Sequence, residues 1–147
     1  MRPLKILVSA SGAPGCSTLI KQLKGINERK IEIVAVDMDG EAIGKFLADS
    51  FYRVPPADHH QYLDAMLDIA VKEDIDVFYV VSSAEILKIA EKKGRFEELG
   101  CKVTASRPEA IRKAANKYVL YKTLTERTRM CRYPTSIKEC HHRKLDK

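Results

Sequence analysis

A doubly wound α/β domain, with a mainly parallel five-stranded sheet and helices on both faces, is the fold this sequence predicts. Three observations predict it. Short apolar, β-branched runs recur along the first 105 residues, segments of helical spacing separate them, and capping pairs stand where those helices should begin.

The first two runs are residues 4–9 (LKILVS) and 31–36 (IEIVAV). A weaker one follows at 51–54 (FYRV), then 75–81 (IDVFYVV) and 101–105 (CKVTA). Near-continuous apolar strands suit a parallel sheet, because helices remove both of its faces from water. The gaps suit right-handed crossovers, which need roughly a dozen residues or more. Leu19, Ile20, Leu23 and Ile26 share one helical face. Tyr62, Leu63, Met66, Leu67 and Ala70 share another, and Ile86, Leu87 and Ala90 mark a third, shorter helix. Asp58 with Gln61, Ser82 with Glu85, and Ser106 with Glu109 each set a capping side chain three residues before a Glu or Gln. At that spacing two residues satisfy each other's unpaired N–H groups. Pro108 would sit in a first turn, where a missing N–H is harmless.

Length and composition bound the rest. A chain of 147 residues supports one hydrophobic core, and its 45% apolar content excludes wholesale disorder. No apolar run reaches the roughly 18 residues of a membrane span. The start, MRPLKILVSASG, is read as strand one rather than an export signal, because its apolar stretch is brief and leads into a turn. Cys16, Cys101, Cys131 and Cys140 form no CxxC pair and are expected as reduced thiols, which points to the cytoplasm. The net charge of +6 is unevenly placed. Residues 1–116 carry 17 basic and 17 acidic side chains, and residues 117–147 carry 9 and 3. A neutral domain with a basic tail is a weak nucleic-acid signal. The expected organisation is a domain over 1–116 and a basic segment over 117–147.

In open α/β sheets ligands bind at the carboxyl ends of the strands, beside the point where strand order reverses. Residues 9–15, Asp37, Asp39, residues 82–85 and Ser106 fall there. The segment Ser9-Ala-Ser-Gly-Ala-Pro-Gly-Cys-Ser-Thr18 has two glycines and a proline before a helix, an arrangement that aims N–H groups at an anion. It is not a Walker A loop, since Gly15 is followed by Cys16-Ser17-Thr18 and the next lysine is Lys21. It is not a full G-x-G-x-x-G, because Ala10 holds the first glycine position. Asp37 does match the ribose-binding carboxylate of that fingerprint. A tight turn that merely packs helix one remains equally open.

Residues 6–23 (ILVSASGAPGCSTLIKQL), Val36-Asp-Met-Asp39, Phe46-Leu-Ala-Asp-Ser-Phe-Tyr-Arg-Val-Pro-Pro56, Ser82-Ser-Ala-Glu85 and Asn116-Lys-Tyr118 carry a family resemblance in their order and spacing. From about residue 4 to residue 124 the chain resembles the N-terminal, pre-ATP-grasp domain of carbamoyl-phosphate-synthase-like ATP-grasp ligases. The resemblance implies a Rossmann-like domain without a nicotinamide cofactor, which helps bind the acceptor substrate. The ATP-grasp part then activates a carboxylate as an acyl phosphate for attack by an amine. It also implies that Gly12, Ala13, Pro14, Gly15 and Glu85 face the substrate side. Lys117, after a short Asn-containing turn, would contact the nucleotide, a role that suits a flexible ammonium. Glu85 has a competing structural task as half of a cap, and Lys117 a plain alternative on a helix over 114–124.

The pattern is incomplete. A glycine-rich phosphate loop and late acidic and Asn residues for magnesium are missing, although Tyr133-Pro-Thr135 resembles the first ATP-grasp strand. Residues 125–132 (TERTRMCR) lack the glycine of the usual turn. ATP and magnesium are therefore expected only together with a missing ATP-grasp domain, and the chain alone is expected to be inactive. Cys131, Cys140, His141 and His142 do not match a zinc spacing, so no metal is expected. Three functions stay open. One is an ATP-grasp ligase domain, possible partner being a separate chain with the rest of the fold. The second is a stand-alone module for a small anionic metabolite or a nucleotide. The third is a nicotinamide-dependent oxidoreductase, for which Tyr118 and Lys122 give only a misplaced Tyr-x-x-x-Lys pair.

Overall fold

The computed structural model describes residues 2–127. Five strands, β1 (Leu4–Val8), β2 (Ile31–Asp37), β3 (Ser50–Arg53), β4 (Val77–Tyr79) and β5 (Lys102–Val103), form one sheet in the order β3-β2-β1-β4-β5. Every pairing is parallel; Leu4 lies beside Ile31, Ile6 beside Val77, Val34 beside Ser50 and Val77 beside Lys102. The order reverses at β1, so the switch point lies between β1 and β4.

Alternation along the strands feeds two cores. Ile6, Val8 and Ile33 pack under α1 (Cys16–Lys24), whose Cys16 and Ile20 are buried, with Leu47 of the short helix α2 (Gly44–Leu47) beside them. Leu7, Val34, Val36 and Phe78 pack on the other face against Met66, Ile69 and Ala70 of α3 (Tyr62–Lys72), Ile89 of α4 (Ser83–Glu91) and Phe96 of α5 (Lys93–Glu97). Each fully buried side chain of this size contributes about 1.5–3 kcal/mol by leaving water. Phe78 and Phe96 also meet with ring centroids 5.3 Å apart and planes tilted by 55°, a favoured aromatic geometry.

The expected fold class is thus present, with differences at the element ends. The sheet is wholly parallel. β4 and β5 are shorter than their apolar runs; past the end of β4 the Val80 N–H meets the Thr104 hydroxyl, at 3.4 Å, in place of a backbone carbonyl. Helices α2 and α5 were not expected; each is a single short turn or two that periodicity does not register. Asp49, in the β2–β3 link, brackets Ile33: its N–H donates to the Ile33 carbonyl at 2.9 Å and its carboxylate accepts the Ile33 N–H at 2.8 Å.

Of the three capping pairs, only Ser82–Glu85 forms a complete box. Helix α3 starts at Tyr62, after turns at 57–61, so Asp58 does not cap it. Helix α6 (Pro108–Ala115) starts at Pro108, and it is the Arg107 carbonyl that accepts the N–H groups of Ala110 and Ile111. The single helix expected over 114–124 is broken at Asn116. Its side-chain oxygen accepts the N–H groups of Tyr118 and Val119 and so opens a new helix, α7 (Lys117–Arg127).

The chain divides into two compact units, Met1–Ile111 and Arg112–Lys147. The first holds the whole sheet. No described helix is long and apolar enough to cross a membrane.

Candidate functional site

All five carboxyl ends of the strands point to one edge of the sheet, since every pairing is parallel. A cleft of about 840 Å3 opens there, within the first unit. Its inner wall is the β1–α1 loop (Ala10, Gly12, Ala13) and the end of β2 (Val36, Asp37, Met38, Asp39). The outer wall is the β3–α3 segment from Val54 to Asp58, with Tyr62 behind it, and the side wall is the start of α4 (Ser82, Ala84, Glu85, Lys88).

The β1–α1 loop is shaped by close approach as much as by free rotation. Gly15 adopts φ +86° and precedes α1, a left-handed conformation that glycine accepts without strain. Gly12 has an ordinary φ but lies against Asp37: an added Cβ would stand 3.2 Å from its Oδ2 and 3.3 Å from the Ala42 Cβ. Ala10, at the first glycine position of the fingerprint, has φ +47°. The backbone of a glycine is therefore present there although the residue is alanine.

Asp37 holds the inner wall together. Its Oδ2 accepts the Gly12 N–H at 2.7 Å and its Oδ1 accepts the Asp39 N–H at 2.9 Å. The carboxylate that matches a ribose ligand in position thus holds the chain's own backbone with one bond to each oxygen.

Behind the side wall lies a buried polar cluster. The Glu85 carboxylate, 3% exposed, accepts the Ser9 hydroxyl at 2.8 Å, the Ser82 N–H at 3.2 Å and the Tyr62 hydroxyl. The Ser9 Oγ in turn accepts the Val81 N–H at 3.4 Å. Burial, and then the Glu85 carboxylate, push the Tyr62 phenol far above its ordinary value, so it acts as a fixed donor. Cys16 is also pushed up, by burial and then by Asp37. It is a protonated, apolar-packed thiol rather than a nucleophile.

The expected site residues separate into groups. Gly12, Ala13 and Glu85 line the cleft together. Pro14 and Gly15 do not line it: the chain turns away there, with the Cys16 N–H closing on the Ala13 carbonyl at 3.1 Å. Lys117 is exposed in the first turn of α7, in the second unit. Sequence reasoning placed Ser9 at the ligand edge without giving it a role, and did not single out Tyr62, Lys88 or Asp58 as site residues. Tyr62 reads from its spacing as one more apolar helix position, and only the fold brings its hydroxyl, at the start of α3, to Glu85 in the first turn of α4. Cys131, Cys140, His141, His142 and Tyr133-Pro-Thr135 lie outside the described residues. Among the described residues no three His, Cys, Asp or Glu side chains gather to hold a metal ion.

Residues 6–104 match the family model described as "PylC-like, N-terminal domain". The chain belongs to the PylC-like N-terminal domain family. Solved structures with the same fold as this PylC-like domain include glycinamide-RNase-transformylase T from Mycobacterium tuberculosis. That likeness has TM-score 0.58 and 17% identity, over 84% of this chain and 35% of the other. The multifunctional pyruvate carboxylase from Rhizobium etli matches with TM-score 0.57 and 17% identity, over 85% and 12%. N5-carboxyaminoimidazole synthetase from Staphylococcus aureus, complexed with ADP, matches with TM-score 0.53 and 14% identity, over 84% and 29%. No curated protein matches the sequence. The PylC-like domain spans about a third or less of these solved chains. The expected resemblance to the first domain of ATP-grasp ligases is borne out.

Proposed function

We propose that this PylC-like domain is the substrate-side first domain of an ATP-grasp carboxylate–amine ligase and does not catalyse the reaction alone. The observation that carries the reading is the cleft at the carboxyl edge of a family-matched sheet, with Gly12, Ala13 and Glu85 in its walls. Ligands of such sheets bind at that edge, beside the switch point. The domain's part is to bind and orient a small metabolite. Activation of a carboxylate by ATP and magnesium belongs to the remaining ATP-grasp fold, in this chain or a separate one, with Lys117 reaching the nucleotide.

In this reading the magnesium, held through one or two carboxylates and the nucleotide's phosphates, belongs to the ATP-grasp part; among the described residues no group of three His, Cys, Asp or Glu side chains gathers. Asp37, in the ribose-ligand position of the dinucleotide fingerprint, fastens the inner wall by accepting one backbone N–H on each oxygen.

The test is ADP release by the 147-residue chain in magnesium-ATP with a panel of carboxylates and amines. No release is expected above the buffer control. Sustained ADP release by the chain alone would remove the reading of an incomplete enzyme.

A further inference from the structure

The outer wall of the cleft is a turn pinned at both ends. At its start the Val54 N–H donates to the Asp37 carbonyl at 2.9 Å, and at its end the Tyr62 hydroxyl donates to Glu85. Between these ends, Pro55 and Pro56 have no N–H to offer a neighbouring strand. The His59 N–H closes on the Pro56 carbonyl at 2.9 Å, and the Gln61 N–H on the His59 Nδ1 at 3.2 Å. The Tyr62 N–H closes on the His59 carbonyl, also at 3.2 Å. These bonds hold the turn's own shape, and none of them ties it to the sheet. Pro56, Asp58, His60 and Gln61 are exposed, while Ala57 packs at the margin of the core.

Lys88 of α4 bridges the side wall and this turn. Its ammonium donates to the carbonyls of Ala57 and His59, the latter at 3.4 Å, and stands 6.0 Å from the centre of the Tyr62 ring. Among the described residues, the hydrogen bonds that reach residues 55–61 from beyond the two pinned ends come from Lys88. No ion pair joins this ammonium to a carboxylate among them. Its charge is directed at backbone carbonyls, and a bond with an ionised donor is stronger than a neutral one. Without it the stretch keeps its internal turn bonds and its two ends. A segment held by so few outside bonds opens locally while the sheet stays folded.

We infer that residues 55–61 form a gate on the cleft and that Lys88 is its latch. With the latch closed, Pro55, Pro56, Ala57 and Asp58 line the cleft. With it released, the turn swings out between Val54 and Tyr62 and the inner wall meets water. A hold on two carbonyls through one flexible stem yields more readily than a strand pairing, which suits a wall that must admit and release a small molecule. The latch is a property of the free domain and holds whatever the cleft binds, so its failure would leave the proposed function standing.

Amide solvent exchange, read by NMR on the 147-residue chain and on Lys88→Met, tests it. The substitution keeps an unbranched stem and removes the donors and the charge. Exchange at the His59, Gln61 and Tyr62 amides is expected to speed up about tenfold, with the β1 amides unchanged. A neutral gadolinium chelate in the solvent should also broaden the Gly12 and Ala13 amides of the inner wall more strongly in Lys88→Met. Three results would each overturn the inference. Unchanged exchange at the turn would show that Lys88 latches nothing. A rise at the β1 amides in step with the turn would show a general loss of stability instead of a local opening. Unchanged broadening at Gly12 and Ala13 would show that the turn loosens without opening the cleft.

Discussion

The Ser9 hydroxyl donates to the Glu85 carboxylate at 2.8 Å across 76 residues of sequence. This bond fastens the end of β1 to the first turn of α4 where the strand order reverses. Together with the Tyr62 hydroxyl it makes Glu85 a buried carboxylate with a full set of donors. Such groups are costly to unpair, because the remaining partners keep their desolvation penalty. Glu85→Ala is expected to lower stability by about 3 kcal/mol and Tyr62→Phe by about 1–2 kcal/mol. Urea unfolding followed by circular dichroism reads both. An effect under a few tenths for Glu85→Ala would mean that the cluster is not formed.

Ser11 and Gly44 form a tight contact under the same loop. A Cβ at Gly44 would stand 2.3 Å from both the Cβ and the Oγ of Ser11. Gly44→Ala is therefore expected to cost about 1–3 kcal/mol from overpacking. Ser11→Gly should restore most of that loss in the double variant, and a double-mutant cycle measures the coupling. The Ser11 Oγ is buried with no hydrogen-bond partner among the described residues, so Ser11→Ala alone should be neutral or stabilising.

Ala10 carries the third prediction. Its φ of +47° costs an L-residue about 1 kcal/mol. Ala10→Gly is expected to raise the melting temperature by a few degrees, despite the greater freedom glycine gains in the unfolded chain. A lower melting temperature would show that this freedom outweighs the strain relieved. Gly15→Ala, at φ +86°, should move the melting temperature down.

Cys101 sets an alkaline limit. Its thiol is pushed up to about 11 by burial and then by the Asp76 carboxylate, against an ordinary value of 9.0. Below pH 9 the thiol is neutral in both states and its contribution is fully present. Between pH 9 and 11 the unfolded chain ionises first, so stability falls as pH rises. Cys101→Ala should flatten the stability profile in that window while lowering stability at pH 7 through the lost packing. An unchanged slope between pH 9 and 11 would contradict the raised value.

The sheet was legible because each strand is an apolar run short enough to be nothing else, and because both faces are covered. Residues 4–8 and 31–37 read almost to the residue for that reason. Caps were less legible. Ser82 and Glu85 form their box, but Asp58 matches the same spacing and starts no helix, because Pro55 and Pro56 lead into turns that delay α3 to Tyr62. The loop glycines identified the edge where the cleft lies, yet not the charge of its lining. That depends on where each N–H finds its acceptor: the Gly12 N–H meets Asp37, 25 residues away, a pairing that only the parallel neighbours β1 and β2 create.

The two walls of the cleft differ in how they are fastened. Asp37 ties the inner wall to the sheet through two backbone bonds, and its carbonyl also holds the Val54 N–H at 2.9 Å. Beyond Val54, by contrast, the 55–58 stretch of the outer wall is gripped from the side by the flexible stem of Lys88, which donates to the Ala57 carbonyl. Mutational drift can therefore resize or recharge the outer wall at little structural penalty, while the inner wall resists change. A lineage adapting this scaffold to a new metabolite would find its variation there, one side of the cavity acting as a template and the other as the adjustable jaw.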